Sequence, residues 1–323
     1  FAGFGEAYFQ MKPDVKLTAG LRWTDDSKRF WNIPSWTFLE GGGYPIEGIV
    51  NQEWKEWTGR LNATWTPKLD FSDETMVYAS YARGYKGGGA NPPGPEGTAG
   101  ALSTQVAHPA TFAPEFVNAF EVGTKNTFLD GSLMMKGDVL SYGYRRYQIS
   151  QIVDRTSINL NFDEKVKGAA LEATWEPVPG LRFNFEGGYD ASSVDSGQSA
   201  IDLIDRTAGH TDWVVIKPFA TETSNCIVPA SFMRAAIENH ESADGGSLQT
   251  GLICDVAYSP AFAPSLGVDP SMIPFFMDAI WGTSFDPSTA PNGGAGFAKD
   301  LSGNKLPNTP PFTLSFGAQY SMP

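Results

Sequence analysis

The sequence predicts an all-β fold, an antiparallel up-and-down transmembrane β-barrel segment of about nine strands with long loops on one side. Three observations predict it. Apolar and polar residues alternate with period two through most of the chain. Short and long connections also alternate along it. The apolar faces end in aromatic residues, as expected at the two interfaces of a bilayer.

The chain opens in strand-like "FAGFGEAYFQ" and turns at "KPD", residues 12–14. In "VKLTAGLRW", Val15, Leu17, Ala19, Leu21 and Trp23 share one face, and Lys16, Thr18, Gly20 and Arg22 the other. A long link from Asn32 to Gln52 follows. In "WTGRLNATW", Trp57, Gly59, Leu61, Ala63 and Trp65 oppose Thr58, Arg60, Asn62 and Thr64. After the short link 67–74 comes "MVYASYARGYK", whose faces stay ambiguous. Val77, Ala79 and Tyr81 compete with Met76, Tyr78 and Ala82 for the apolar side, so the face of Arg83 is open. The glycines and prolines of "KGGGANPPG" free the chain from the ladder and begin a long link to Ala113.

"EFVNAFEVGTKNTF" alternates weakly, and the tight "LDG" at 129–131 follows it. The strand from Leu133 to Ile149 loses phase near Leu140, which predicts a bulge there. A moderate link spans 154–158, and "GAALEATW" leads to the tight "EPVPG" at 176–180. In "LRFNFEGGY", Leu181, Phe183, Phe185 and Tyr189 oppose Arg182, Asn184 and Glu186. In "FTLSFGAQY", Phe312, Leu314, Phe316, Ala318 and Tyr320 oppose Thr313, Ser315, Gly317 and Gln319. Eight steps of roughly 3.3 Å, tilted by about 40°, rise about 20 Å, close to the apolar band of a bilayer.

Between the last two strands, 195–305 has no strand periodicity. It holds a possible short helix, "PASFMRAAIENH", and the apolar "SMIPFFMDAIW". Phe275, Phe276 and Trp281 there form either the loop's own core or a ligand contact. Cys226 and Cys254 lie in the same region, either as a disulfide, which implies an oxidising compartment, or as two thiols.

The formal net charge of −13 argues against a nucleic-acid partner, which needs a basic face. No run of eighteen apolar residues predicts a transmembrane helix, and strands that alternate look soluble by average hydropathy. Alternation also suits a soluble antiparallel sheet with one dry face. Arg, Lys and Glu in mid-strand favour a wet lumen instead.

His108, His210 and His240 show no metal-ligand spacing, and there is no G-x-S-x-G, P-loop or G-x-G-x-x-G. "GYKGGG" follows a strand but opens no helix, so it cannot hold a phosphate at a helix N-terminus. The acidic residues of "DSGQSAIDLID" fit no calcium loop. No enzyme activity, cofactor or metal is expected.

"LTAGLRWTDDSKRF", "YASYARGYKGGGAN", "FAPEFVNAFEVGTKNTFLDGSLMMKGDVLSYGYRRYQISQI" and "LPNTPPFTLSFGAQY" together resemble TonB-dependent outer-membrane receptors. The resemblance covers nearly all of 1–194 and 305–320, but not the insertion between them. It implies a 22-stranded barrel filled by a plug. It further implies uptake of a scarce ligand, such as a ferric siderophore or an oligosaccharide, energised through the TonB complex. The implied location is the outer membrane of a Gram-negative bacterium, with outer-membrane lipid around the barrel. Residues 1–323 are expected to be a part of the barrel domain, with 195–305 as a long extracellular loop. The plug, the TonB box and the C-terminal strands are expected elsewhere in a longer protein.

Candidate ligand contacts are Trp36 and Tyr44 in the first long link, and Arg83, Tyr85 and Lys86 at a strand's outer end. Cations there suit an anionic siderophore, and aromatics suit a sugar or heterocycle. The alternative is that Tyr81 and Tyr85 are girdle aromatics and Lys86 a solvated charge. A passive porin and a secreted carbohydrate-binding β-sheet protein are the competing functions.

Overall fold

A computed structural model describes residues 1–32, 48–91, 109–153, 156–216, 226–242, 250–258 and 269–322. Nine strands form one sheet, hydrogen-bonded in sequence order. They are β1 (Ala2–Lys12), β2 (Val15–Asn32), β3 (Gly48–Trp65), β4 (Glu74–Lys86) and β5 (Glu115–Phe128). β6 (Leu133–Val153), β7 (Thr156–Val178), β8 (Leu181–Val194) and β9 (Phe312–Tyr320) complete it. Every neighbouring pair is antiparallel, and β1 and β9 are the two edges. The sheet is neither a sandwich nor a closed cylinder.

The turns at one end are short for local reasons. Between β5 and β6, Leu129, Asp130 and Gly131 all have positive φ, the backbone that matches the twist of paired strands. Gly180 (φ 83°) does the same between β7 and β8. At the other end three of the four connections are long, the longest joining β8 to β9; the moderate link expected at 154–158 is shorter, since β6 and β7 pair out to Val153 and Thr156 and leave only residues 154–155 between them.

Register settles the faces, because residues directly opposite in an antiparallel ladder share one. Phe9, Leu17, Ala63, Ala79, Val122, Val139, Ala169, Tyr189 and Phe312 lie opposite one another in a row through all nine strands. Residues two steps along, such as Leu61, Phe120, Leu171 and Leu314, extend this face. It is apolar yet open to solvent: Leu61 is 58% and Leu314 76% exposed. Thr18, Asn62, Ser80 and Glu121 align on the opposite, polar face. An exposed apolar face this broad is rare on a soluble monomer and marks a surface that meets lipid or another protein.

The predicted bulge lies elsewhere. Pairing is regular through Leu140, which sits on the polar face opposite Glu121 and Gly168; this accounts for the apparent loss of phase. The register shift falls between Tyr144 and Tyr147, where Arg146 has φ +57° and its N–H donates to Asp163 Oδ1 (2.7 Å). An extra residue in a strand produces this kink and shifts the faces beyond it.

Two strands approach closely at Gly59, where an added Cβ would lie 2.6 Å from the Gly20 carbonyl oxygen. Gly59→Ala is therefore expected to cost about 1–3 kcal/mol by overpacking. Gly3→Ala, where a Cβ meets nothing within 4 Å, should change little. Denaturant titration of the folded full-length protein checks both.

The connection between β8 and β9 folds on itself. Short ladders pair Ser199–Ile201 with Ala298–Asp300 and Trp213–Ile216 with Cys226–Pro229. The anticipated helix is α1 (Ala230–Ser242), followed by α2 (Ile253–Tyr258) and α3 (Ile273–Trp281). Val228, Phe232, Ile253, Val256, Met277 and Trp281 form its core. Phe276 packs against that core, whereas Phe275 is 62% exposed. Cys226 and Cys254 are bonded within it (S–S 2.06 Å). Lys299 binds Asp202 (3.1 Å) and Asp205 (2.8 Å), and both carboxyls are held below their usual range, by the Ile204 N–H first in Asp202 and by Lys299 first in Asp205.

Candidate functional site

The polar face of the sheet carries the charges that a strand buried in lipid could not. Arg60 on β3 binds Glu6 on β1 (2.7 Å), and Lys136 on β6 binds Glu172 on β7 (2.9 Å). The Tyr78 hydroxyl donates to Glu121, and Lys125 lies 5.8 Å from the centre of the Tyr78 ring. Among the described residues, three side-chain atoms on strands of this sheet are buried without a hydrogen-bond partner: Gln52 Oε1, Asn62 Oδ1 and Glu164 Oε2. By register parity all three belong to the polar face.

The long-connection end of this face holds a cluster that no sequence pattern flagged. Glu164 (1% exposed) stands opposite Tyr144 and Val194. The Tyr144 and Tyr147 rings meet edge to face at 5.4 Å, brought to one side by the bulge. Glu115 Oε2 accepts the Gln148 N–H (2.9 Å) and lies 3.8 Å from Lys86 Nζ.

The candidate contacts separate. Lys86 sits at this end, with an exposed side chain. The Tyr85 ring packs on Phe116 (centroids 5.6 Å) and its hydroxyl reaches Asp26 Oδ2 (3.5 Å). Arg83 takes the parity of Val77, Ala79 and Tyr81, opposite Gly59 and Asn118, so it lies on the apolar face. Its guanidinium stacks 4.8 Å from the centre of the Phe116 ring. Trp36 and Tyr44 lie outside the described residues. Among the described residues no group of three His, Cys, Asp or Glu side chains is placed to hold a metal ion.

A family model described as "TonB dependent receptor-like, beta-barrel" matches residues 1–214. The chain belongs to the TonB-dependent receptor family. The nine-stranded sheet is thus a segment of an outer-membrane barrel of the Gram-negative type, and the soluble-sheet alternative falls. The family is one of receptors, not of enzymes.

Solved uptake receptors resemble this segment at low identity. The ferric yersiniabactin uptake receptor FyuA from Yersinia pestis is 18% identical over 60% of this chain and 26% of its own (TM-score 0.45). The siderophore receptor PiuA from Acinetobacter baumannii is 18% identical over 62% and 26% (TM-score 0.45). The ferric-catecholate import receptor Fiu from E. coli K12 is 15% identical over 70% and 30% (TM-score 0.44). The chain thus spans between a quarter and a third of these receptors. No curated protein matches the sequence.

Proposed function

We propose that the chain is part of the wall of an outer-membrane receptor that imports a scarce ligand, a ferric siderophore or a similar compound, with energy from the TonB complex. The observation that carries this reading is the family match over residues 1–214, on a sheet whose register separates one apolar from one polar face. The apolar face meets lipid, and the polar face meets a wet lumen holding a plug that lies outside this chain. Gln52, Asn62 and Glu164 leave buried polar atoms that groups or water in such a lumen would satisfy. The edges of β1 and β9 pair with further strands, since open edges are not tolerated in lipid.

The long connections, including the folded unit between β8 and β9, face the cell exterior and meet the ligand first. Trp36, Tyr44 and Lys86 are the proposed contacts, whereas Tyr85, opposite Phe116, shares the face of Arg83. An oligosaccharide is the alternative cargo.

Uptake by iron-starved cells tests this. Deleting the complete gene should abolish import of a labelled ferric siderophore, and disabling TonB in the wild type should do the same. Import that survives loss of TonB would mark a passive porin.

A further inference from the structure

We propose that the apolar face carries a binding site for the phosphate of a membrane lipid headgroup, formed by Arg83, Arg145, Lys165 and Lys167 at the boundary nearest the long connections. The proposal rests on the reading that this face meets lipid.

The register assembles the site from four strands. Arg83 on β4 lies opposite Asn118 on β5, Asn118 opposite Gly143 on β6, and Gly143 opposite Lys165 on β7. Three strand spacings separate Arg83 from Lys165, about 14 Å at about 4.8 Å each. Arg145 stands two residues beyond Gly143, opposite Phe116. Lys167 stands two residues from Lys165, opposite Ser141. Four cations thus surround a floor of Asn118 and Gly143. A Cβ on Gly143 would meet nothing within 4 Å, so the floor is open.

The charges on this floor are poorly matched by carboxylates, in a chain of net charge −13. Lys165 binds Asp195 (2.8 Å), and Asp163 accepts the Arg146 N–H. Arg83, Arg145 and Lys167 have no carboxylate within ion-pair distance among the described residues. Stacking on Phe116 orients the Arg83 guanidinium, whose fork suits phosphate oxygens.

What lies beside the cations decides the partner. Toward the short-turn end the same face becomes Tyr81, Phe120, Val122, Val139, Ala169 and Leu171. A soluble anion would have no use for this band. A lipid would, because its acyl chains lie along the band while its phosphate reaches the cations at the boundary.

The test uses the complete protein, recovered from the membrane fraction in mild detergent, with bound lipid counted by native mass spectrometry. Wild type should retain a phosphorylated lipid. Arg83→Ala/Lys167→Ala should retain about twenty-fivefold less, at about fivefold per cation. Lys16→Ala/Lys136→Ala, which removes two cations from the polar face, should match wild type. An anionic phospholipid should displace the bound lipid better than phosphatidylcholine, whose own choline cation offsets its phosphate, and millimolar inorganic phosphate should not displace it. Equal retention by the patch variant and wild type, both recovered from the membrane fraction, would overturn the headgroup site alone. Displacement by inorganic phosphate as readily as by lipid would overturn the lipid as its ligand. Absence of wild type from the membrane fraction would overturn the lipid-face reading as well.

Discussion

Leu61→Lys is expected to destabilise the full-length barrel by about 2–4 kcal/mol, the cost of a cation on a lipid face near the bilayer midplane. Leu61 lies four residues from Trp57 and four from Trp65, the aromatics that bound the apolar face of β3. It is opposite Ala19 and Tyr81, with no carboxylate in its cross-strand row to neutralise an introduced ammonium. Ser80→Lys provides the contrast. Ser80 is opposite Asn62 and Glu121 on the polar face, where a cation gains a partner. It should change stability by less than about 1 kcal/mol. Urea unfolding in lipid vesicles measures both, and equal costs would contradict the assignment of faces.

Cys226→Ser/Cys254→Ser is expected to destabilise the unit between β8 and β9 by about 3–4 kcal/mol, from the loop-closure entropy of a 28-residue separation. The loss should be local. Val228, Phe232, Ile253, Met277 and Trp281 make a core belonging to that unit, and both cysteines are buried inside it. Hydrogen exchange should therefore accelerate across 226–242 and 250–258 while β2 to β7 keep their protection. Acceleration spread evenly over the sheet would show that the unit is not an independent core.

The strands were legible because alternation is a local property. β2, β3, β8 and β9 each display a clean apolar face in their own residues. β4 does not, since Val77, Ala79 and Tyr81 compete with Met76, Tyr78 and Ala82. Only its pairing with Leu61 on β3 and Phe120 on β5 fixes the phase, and with it the place of Arg83. The bulge was misplaced for a related reason. Leu140 is an apolar residue on the polar face, so the sequence loses its rhythm where the ladder does not. Glu164 left no signal at all in "FDEKVKG", because its burial arises from Tyr144 and Val194 on neighbouring strands. Within the insertion, α1 was readable from its own residues. Of its core, Trp281 and Phe276 were readable in "SMIPFFMDAIW"; the rest was not, because the core joins segments as far apart as Ile216 and Trp281.

The central claim is that one face of this sheet meets lipid and the other a wet lumen. Single spin labels at each position from Trp57 to Trp65 of the complete protein, reconstituted in bilayers, test it most directly. Collision with oxygen should peak at 57, 59, 61, 63 and 65, and collision with a water-soluble nickel reagent at 58, 60, 62 and 64. Nickel access without alternation, equal on both sets of positions, would contradict it.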